Sequence, residues 1–232
     1  MVYIGPGEFT MGTASGDPDE APPHTVQLAG FLMDKFEVTH AMYTQAELPN
    51  PSHWQDDPRK PVEQVRWSGV RRYCNERSLM EGLEPCYDEA SSGWPRIPGA
   101  NGYRLPTEAE WEKAARGGLA GNTYPWGHTA TSDNLNYGRT PGEALLGGQY
   151  APNGYGLYDM AGNVAEWAWD WHGSYSADDQ TDPTGPASGT ERIYRGGSWE
   201  LSISRARCAD RAESKPWTSE PMIGFRLVIS GD

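Results

Sequence analysis

The sequence predicts an α+β fold with two helices, short strands and much irregular structure, in a single domain spanning 1–232. Three observations predict it. Gly and Pro number 28 and 19 among 232 residues, without a repeat period, so the chain must turn often between short elements. Ten Trp and twelve Tyr argue against disorder and supply bulky side chains to fill a core between those elements. Helical signals with a recognisable start and stop occur twice, whereas alternating apolar runs are short.

In chain order, Phe31-Leu32-Met33 reads as a strand, and 50–60 as a loop rich in Pro, Ser and Asp. Ser68 can cap a helix running through Val70, Tyr73 and Cys74, which ends before the turn Gly82-Leu83-Glu84-Pro85. A second loop covers 87–102. Thr107-Glu108-Ala109-Glu110 is a capping box, in which hydroxyl and carboxylate satisfy orphan backbone donors reciprocally. That helix continues through Trp111 and Ala115 to Gly117-Gly118, and Pro106 blocks extension backwards. After a third loop at 172–191, Phe225-Arg226-Leu227-Val228-Ile229 reads as a strand.

The formal charge of −13 disfavours nucleic acid and anionic membrane as partners, because both are bound by clustered Lys and Arg. No apolar run approaches the roughly 20 residues of a membrane span. Cys74, Cys86 and Cys208 stand in no zinc-like spacing. One disulfide with an odd cysteine left over is one reading; buried free thiols in a reduced cytoplasm is the favoured one. Met1-Val2-Tyr3-Ile4 carries no signal-peptide pattern, so the expected location is the cytoplasm, or delivery without a visible signal. His24, His40, His53, His128 and His172 show no metal-ligand spacing, and a histidine site would need the fold to gather distant residues.

The most informative stretch is 152–167, Pro-Asn-Gly-Tyr-Gly-Leu-Tyr-Asp-Met-Ala-Gly-Asn-Val-Ala-Glu-Trp. Gly154, Gly156 and Gly162 let the backbone coil tightly and turn carbonyls inward. Asp159 and Glu166 can add anionic oxygens, the mixed donor set that Ca²⁺ takes. The other reading is a loop whose carboxylates are solvated or cap nearby donors.

This stretch resembles the signature of the formylglycine-generating enzyme (sulfatase-modifying factor) family, which has a C-type-lectin-like fold. Further family-like segments follow in the right order: Phe9-Thr10-Met11-Gly12, Phe36-Glu37-Val38-Thr39, Pro61-Val62 leading to Trp67, and Tyr103 through Glu112. Tyr124-Pro125-Trp126-Gly127, Arg195-Gly196-Gly197-Ser198-Trp199 and Gly224-Phe225-Arg226 complete the set, which runs from about residue 5 to about 229. The resemblance implies a structural calcium site with side-chain oxygens from Asp159 and Glu166 and carbonyls from Gly162 and Val164. Asp159 stands where the family often has Asn. A second family site matches Asn134 and Leu135, but its later Asp is missing, with Glu143 the nearest substitute.

The family's oxidase activity depends on two copper-binding cysteines soon after the Arg-Gly-Gly-Ser motif. Here Leu201 occupies the first position, and the second falls on a shortened segment with no cysteine before Cys208. Cu(I) needs soft ligands that Leu201 and Ser202 lack, so no copper is expected. An oxidoreductase using other residues of the same cleft would draw first on Trp199, Ser202, Arg207 and Cys208.

The layout also resembles the variable proteins of diversity-generating retroelements, which concentrate ligand contacts in a C-terminal segment of the same fold. That resemblance points to Trp199, Glu200, Leu201, Ser202, Ser204, Arg205, Arg207, Asp210, Ala212, Ser214, Lys215, Trp217 and Thr218 as a binding face for a protein or small ligand. Arg205, Arg207, Arg211 and Lys215 form a local cationic group in the sequence. Trp217 is either an exposed anchor or a residue packed inward. The oligomeric state is left open.

Overall fold

The computed structural model describes residues 1–231. β1 (Val2–Ile4) and β10 (Val228–Ser230) flank β4 (Phe31–Met33), each antiparallel to it, so the two ends of the chain share one small sheet. β2 (Gly7–Met11) and β3 (His24–Leu28) form an antiparallel pair extended by β6 (Gln180–Thr181), which runs parallel to β3. The third sheet has the order β8 (Ala212–Ser214), β7 (Arg192–Arg195), β5 (Ala165–Trp171), β9 (Ile223–Gly224). β9 lies parallel to β5, and β8 is an edge strand.

Three α-helices pack among these sheets. The short α1 (His40–Gln45) lies outside the two expected; its signal was Thr39, whose hydroxyl accepts from the Met42 amide at 3.3 Å. α2 (Trp67–Met80) starts before the expected cap at Ser68. The reason is tertiary: the Trp67 amide donates to the Pro216 carbonyl at 3.1 Å, satisfying an orphan donor from another segment. α3 (Glu108–Arg116) carries the expected capping box and ends at Gly117 with φ 60°, where the left-handed turn favours glycine.

The strand expected over 225–229 is split. Phe225 and Leu227 give their carbonyls to Val38 and Asp34 amides, and regular pairing resumes only at Val228. All three cysteines are free and buried, as the favoured reading had it.

α3 is buried on every side although five of its nine residues are charged. Each charge has a partner. Arg104 grips the Glu110 carboxylate at 2.6 and 2.7 Å, and Arg195 reaches Glu108 at 2.9 Å and Glu112 at 2.5 Å. Arg116 pairs with Glu112 at 2.6 Å, and the Lys113 ammonium donates to the Gly5 and Gly7 carbonyls. Burial of charge is tolerable only with such pairing. The network ties α3 to β2, to the Arg104 segment and to β7, so the loops that follow start from a rigid centre.

Candidate functional site

β5 opens directly out of the Gly-rich loop, so strand and loop are placed together. Asp159 and Asn163 adopt φ values of 55° and 59°, a left-handed region that Asp and Asn tolerate better than most residues. Between them Gly162 has φ 78°, and a Cβ there would lie 2.4 Å from the Asn136 carbonyl oxygen. Only glycine fits.

Around the loop stand two buried carboxylates, Glu37 and Glu166, and the half-buried Asp159; Glu37 was not expected. Glu166 accepts from the Arg226 guanidinium at 2.7–2.9 Å and from the Trp111 indole at 2.7 Å. Its lone pairs are thereby occupied by protein donors. One Asp159 oxygen accepts from the Gly148 amide at 2.7 Å. Glu37, 2% exposed, accepts only from Asn163 among the described residues. Burial, followed by the neighbouring charge of Asp159, pushes the Glu37 pKa well above the usual carboxylate range. Burial raises Asp159 as well, opposed by the Gly148 amide and by Arg226.

These observations test the fit of a cation. With all three carboxylates ionised, one guanidinium would leave negative charge uncompensated in a largely buried place. The carbonyls of Gly162 and Val164 accept no hydrogen bond among the described residues. Charge and free carbonyls favour a cation near Glu37 and Asp159, although the ligand atoms of Glu37, Asp159 and Glu166 do not all lie within 4.8 Å of one another. Glu166 would have to share its oxygens with Arg226 and Trp111.

Two side chains of the second set have partners of their own. The Asn134 side-chain oxygen accepts from the Thr131 amide at 3.0 Å, closing its own turn, and Glu143 pairs with Lys60 at 2.7 Å. Leu135 is packed in an apolar cluster with Tyr124, Ala161 and Ala206.

The C-terminal segment is only partly a surface. Trp199, Asp210 and Ala212 are buried, which corrects their expected place on a ligand face. The Trp199 indole donates to the Pro221 carbonyl at 3.2 Å and meets Trp54 edge-on. Glu200, Leu201, Arg205, Arg207, Ser214, Lys215 and Thr218 are half-buried, whereas Ser202, Ser204 and Trp217 are exposed.

The expected cationic group is neutralised. Arg205 pairs with Asp17 and Asp210, Arg207 with Glu20 and Asp210, Arg211 with Glu108, and Lys215 with Glu191. Sequence spacing could not show this, because Asp17, Glu20 and Glu108 come from distant parts of the chain.

Trp217 stands clear at 66% exposure. Its turn is closed by the Thr218 amide on the Lys215 carbonyl and by a Ser214–Thr218 hydroxyl bond of 2.8 Å. The Ser219 hydroxyl and the Gln64 amide then lace the turn to the 64–67 segment.

The four residues named for an oxidase cleft do not converge. Trp199 packs with Ala144 and Val164, while Cys208 lies in a different cluster with Met11, Phe31 and Trp111. Arg207 is committed to Glu20, and Ser202 is exposed. Burial pushes the Cys208 thiol up to about 12 and raises Cys74 and Cys86 too.

Sequence reasoning missed a cavity of about 280 Å³ lined in part by His24, Asp170, Ser174, Tyr175 and Arg211. Asp170, at its wall, accepts from the Glu108 amide at 2.8 Å, and burial pushes its pKa up to about 8. No local motif announces it, since its partners lie on α3. Among the described residues, no helix is long and apolar enough to cross a membrane.

Comparison with known proteins agrees with this architecture. The Sulfatase-modifying factor enzyme 1-like domain matches residues 1–230. A formylglycine-generating enzyme from Thermomonospora curvata is 33% identical over 98% of this chain and 92% of its own length. The serine/threonine-protein kinase pkn1 of Chlamydia pneumoniae is 38% identical over 98% of this chain, which spans only 37% of that protein. Among solved structures, Treponema denticola variable protein 1 superposes with a TM-score of 0.92 at 32% identity, covering 100% of this chain and 95% of that one. The chain therefore belongs to the family of sulfatase-modifying factor enzyme 1-like domains, with a C-type-lectin-like fold.

Proposed function

We propose that this domain binds a protein or small-molecule ligand through the exposed part of residues 199–223, on a scaffold stabilised by a structural calcium ion and without copper chemistry. The observation that carries this reading is Trp217. It is a large indole held in solvent by a turn pinned at both ends. An anchor ordered before binding loses little freedom on contact, and tryptophan dominates the energetics of many interfaces.

Two further observations support it. Leu201 stands where the family's enzymes carry the first metal-binding thiol, and the three thiols present are buried, which raises their pKa values. A protonated thiol is a poor copper ligand. The likeness to a variable protein extends over the whole chain. Calcium would be held by Asp159, Glu166 and the carbonyls of Gly162 and Val164, with Glu37 adding charge. Its role is to offset the negative charge that Arg226 alone leaves uncompensated around this acidic loop.

The test is a peptide and glycan array probed with the wild-type chain and with Trp217→Ala. Hits present for the wild type and lost in a folded Trp217→Ala chain support the reading. An identical pattern for both, or oxygen uptake with a cysteine-containing peptide and added copper, overturns it.

A further inference from the structure

Three segments far apart in the chain bring Asp19, His172 and Glu213 to one spot, with one ligand atom from each within 4.8 Å of the others. Asp19 sits in a short 3-10 turn, Pro18–Glu20, whose backbone is fixed by Arg211 donating to the Asp19 carbonyl at 2.8 Å. His172 follows the last residue of β5, and its amide donates to the Glu191 carbonyl at 2.8 Å. Glu213 is the central residue of edge strand β8, paired with Ile193.

We propose that Asp19, His172 and Glu213 bind a borderline divalent metal ion of the Zn²⁺ type, separate from the calcium loop. Charge distinguishes this cluster. Around this face nearly every acid has a cationic partner: Asp17, Glu20 and Asp210 share Arg205 and Arg207, Glu108 has Arg211, and Glu191 has Lys215. Asp19 and Glu213 are different. Among the described residues neither has a Lys or Arg within ion-pair distance, yet their carboxylates lie close together beside an imidazole. Two like charges so placed repel unless a cation lies between them.

The donor set then selects the ion. An imidazole nitrogen with two carboxylate oxygens suits Zn²⁺ and its neighbours in the first transition series, whereas Ca²⁺ and Mg²⁺ take oxygen alone. The His172 Nε2 to Asp19 Oδ2 separation is 3.9 Å. Ligand atoms around a tetrahedral zinc with bonds near 2.0–2.1 Å stand about 3.3 Å apart. The half-buried Asp19 and His172 and the exposed Glu213 can close that difference by small rotations. Three protein ligands leave at least one coordination position open, and Glu213 puts that position at the margin of the C-terminal face.

The neighbouring acidic group, Asp17, Glu20 and Asp210, is equally compact but is already filled by Arg205 and Arg207. It carries no such site.

The experiment uses the chain stripped with chelator, then saturated with Ca²⁺ so that the calcium loop does not compete. Co²⁺ serves as an absorbing probe, and Zn²⁺ is titrated by calorimetry. The expected result is one Zn²⁺ per chain, visible Co²⁺ bands that Zn²⁺ displaces, and at least a ten-fold loss of affinity in His172→Ala and in Glu213→Gln. Circular dichroism verifies that both variants are folded. Absence of stoichiometric binding, or unchanged affinity in folded His172→Ala, overturns the proposal. Failure of the calcium reading is seen separately, as a melting temperature indifferent to Ca²⁺.

Discussion

The Asn163 carboxamide donates to both oxygens of Glu37, at 3.1 and 3.4 Å, joining residues 126 positions apart. The same side chain accepts from the Leu145 amide and from Asn136, while its backbone amide donates to the Asn136 carbonyl and its carbonyl accepts from Trp199. One residue in a left-handed conformation thus fastens four segments around the loop. Asn163→Ala leaves several buried donors and acceptors unmatched, each worth about 1–3 kcal/mol. We expect a large drop in the urea midpoint, with Asn163→Asp less damaging in its backbone conformation but adding charge beside Glu37.

Calcium linkage is expected to appear as a thermal shift. At a free concentration a hundred times Kd the ion adds about 2.7 kcal/mol to stability. Glu166→Ala should lose this response and also about 3–5 kcal/mol of stability, because Arg226 is left buried without its partner. Asp159→Asn separates the two effects. It should remain folded, with a weakened response. Indifference of the wild type to chelator and calcium alike would end the calcium reading.

Stability should fall as pH rises from about 4 toward 8. Burial holds the Asp170 pKa at about 8 and the Glu63 pKa at about 7, both above the values in an unfolded chain. Between the unfolded and folded values the native state binds more protons, so its stability is fullest below the unfolded pKa and declines as pH climbs. Asp170→Asn keeps an acceptor for the Glu108 amide and removes the ionisation. Equilibrium urea unfolding at a series of pH values should give a flatter profile in that variant, with a gain near pH 8.

Around α3, Arg195→Met should cost about 3–5 kcal/mol, since Glu108 and Glu112 both lose a buried partner. Chemical denaturation measures it directly. Trp217→Ala, by contrast, should change stability by less than about 0.5 kcal/mol, because the indole stands in solvent.

Local chemistry in the chain made several features legible before any folding. Thr107 and Glu110 placed the start of α3, Gly117 placed its end, and the Gly-rich run 152–167 announced a tight loop with left-handed turns. These signals act within a few residues, through caps and left-handed turns, so the order of amino acids suffices to state them. The absence of the family's cysteine pair after Arg-Gly-Gly-Ser is equally a property of the chain.

Other features needed the packed molecule. The arginines of 205–211 read as a cationic patch, yet Asp17, Glu20 and Glu108 neutralise them from elsewhere. Glu37 stood in a family-like segment with no role assigned and proved to be a buried carboxylate beside Asp159 and Asn163. His172 had no sequence neighbour to suggest a metal and gained two from Asp19 and Glu213. The reason is common to all three. Whether a charge is free, paired or ligating depends on what lies within about 4 Å, where Coulomb energy and desolvation are strongest, and in each case at least one such neighbour comes from over a hundred residues away.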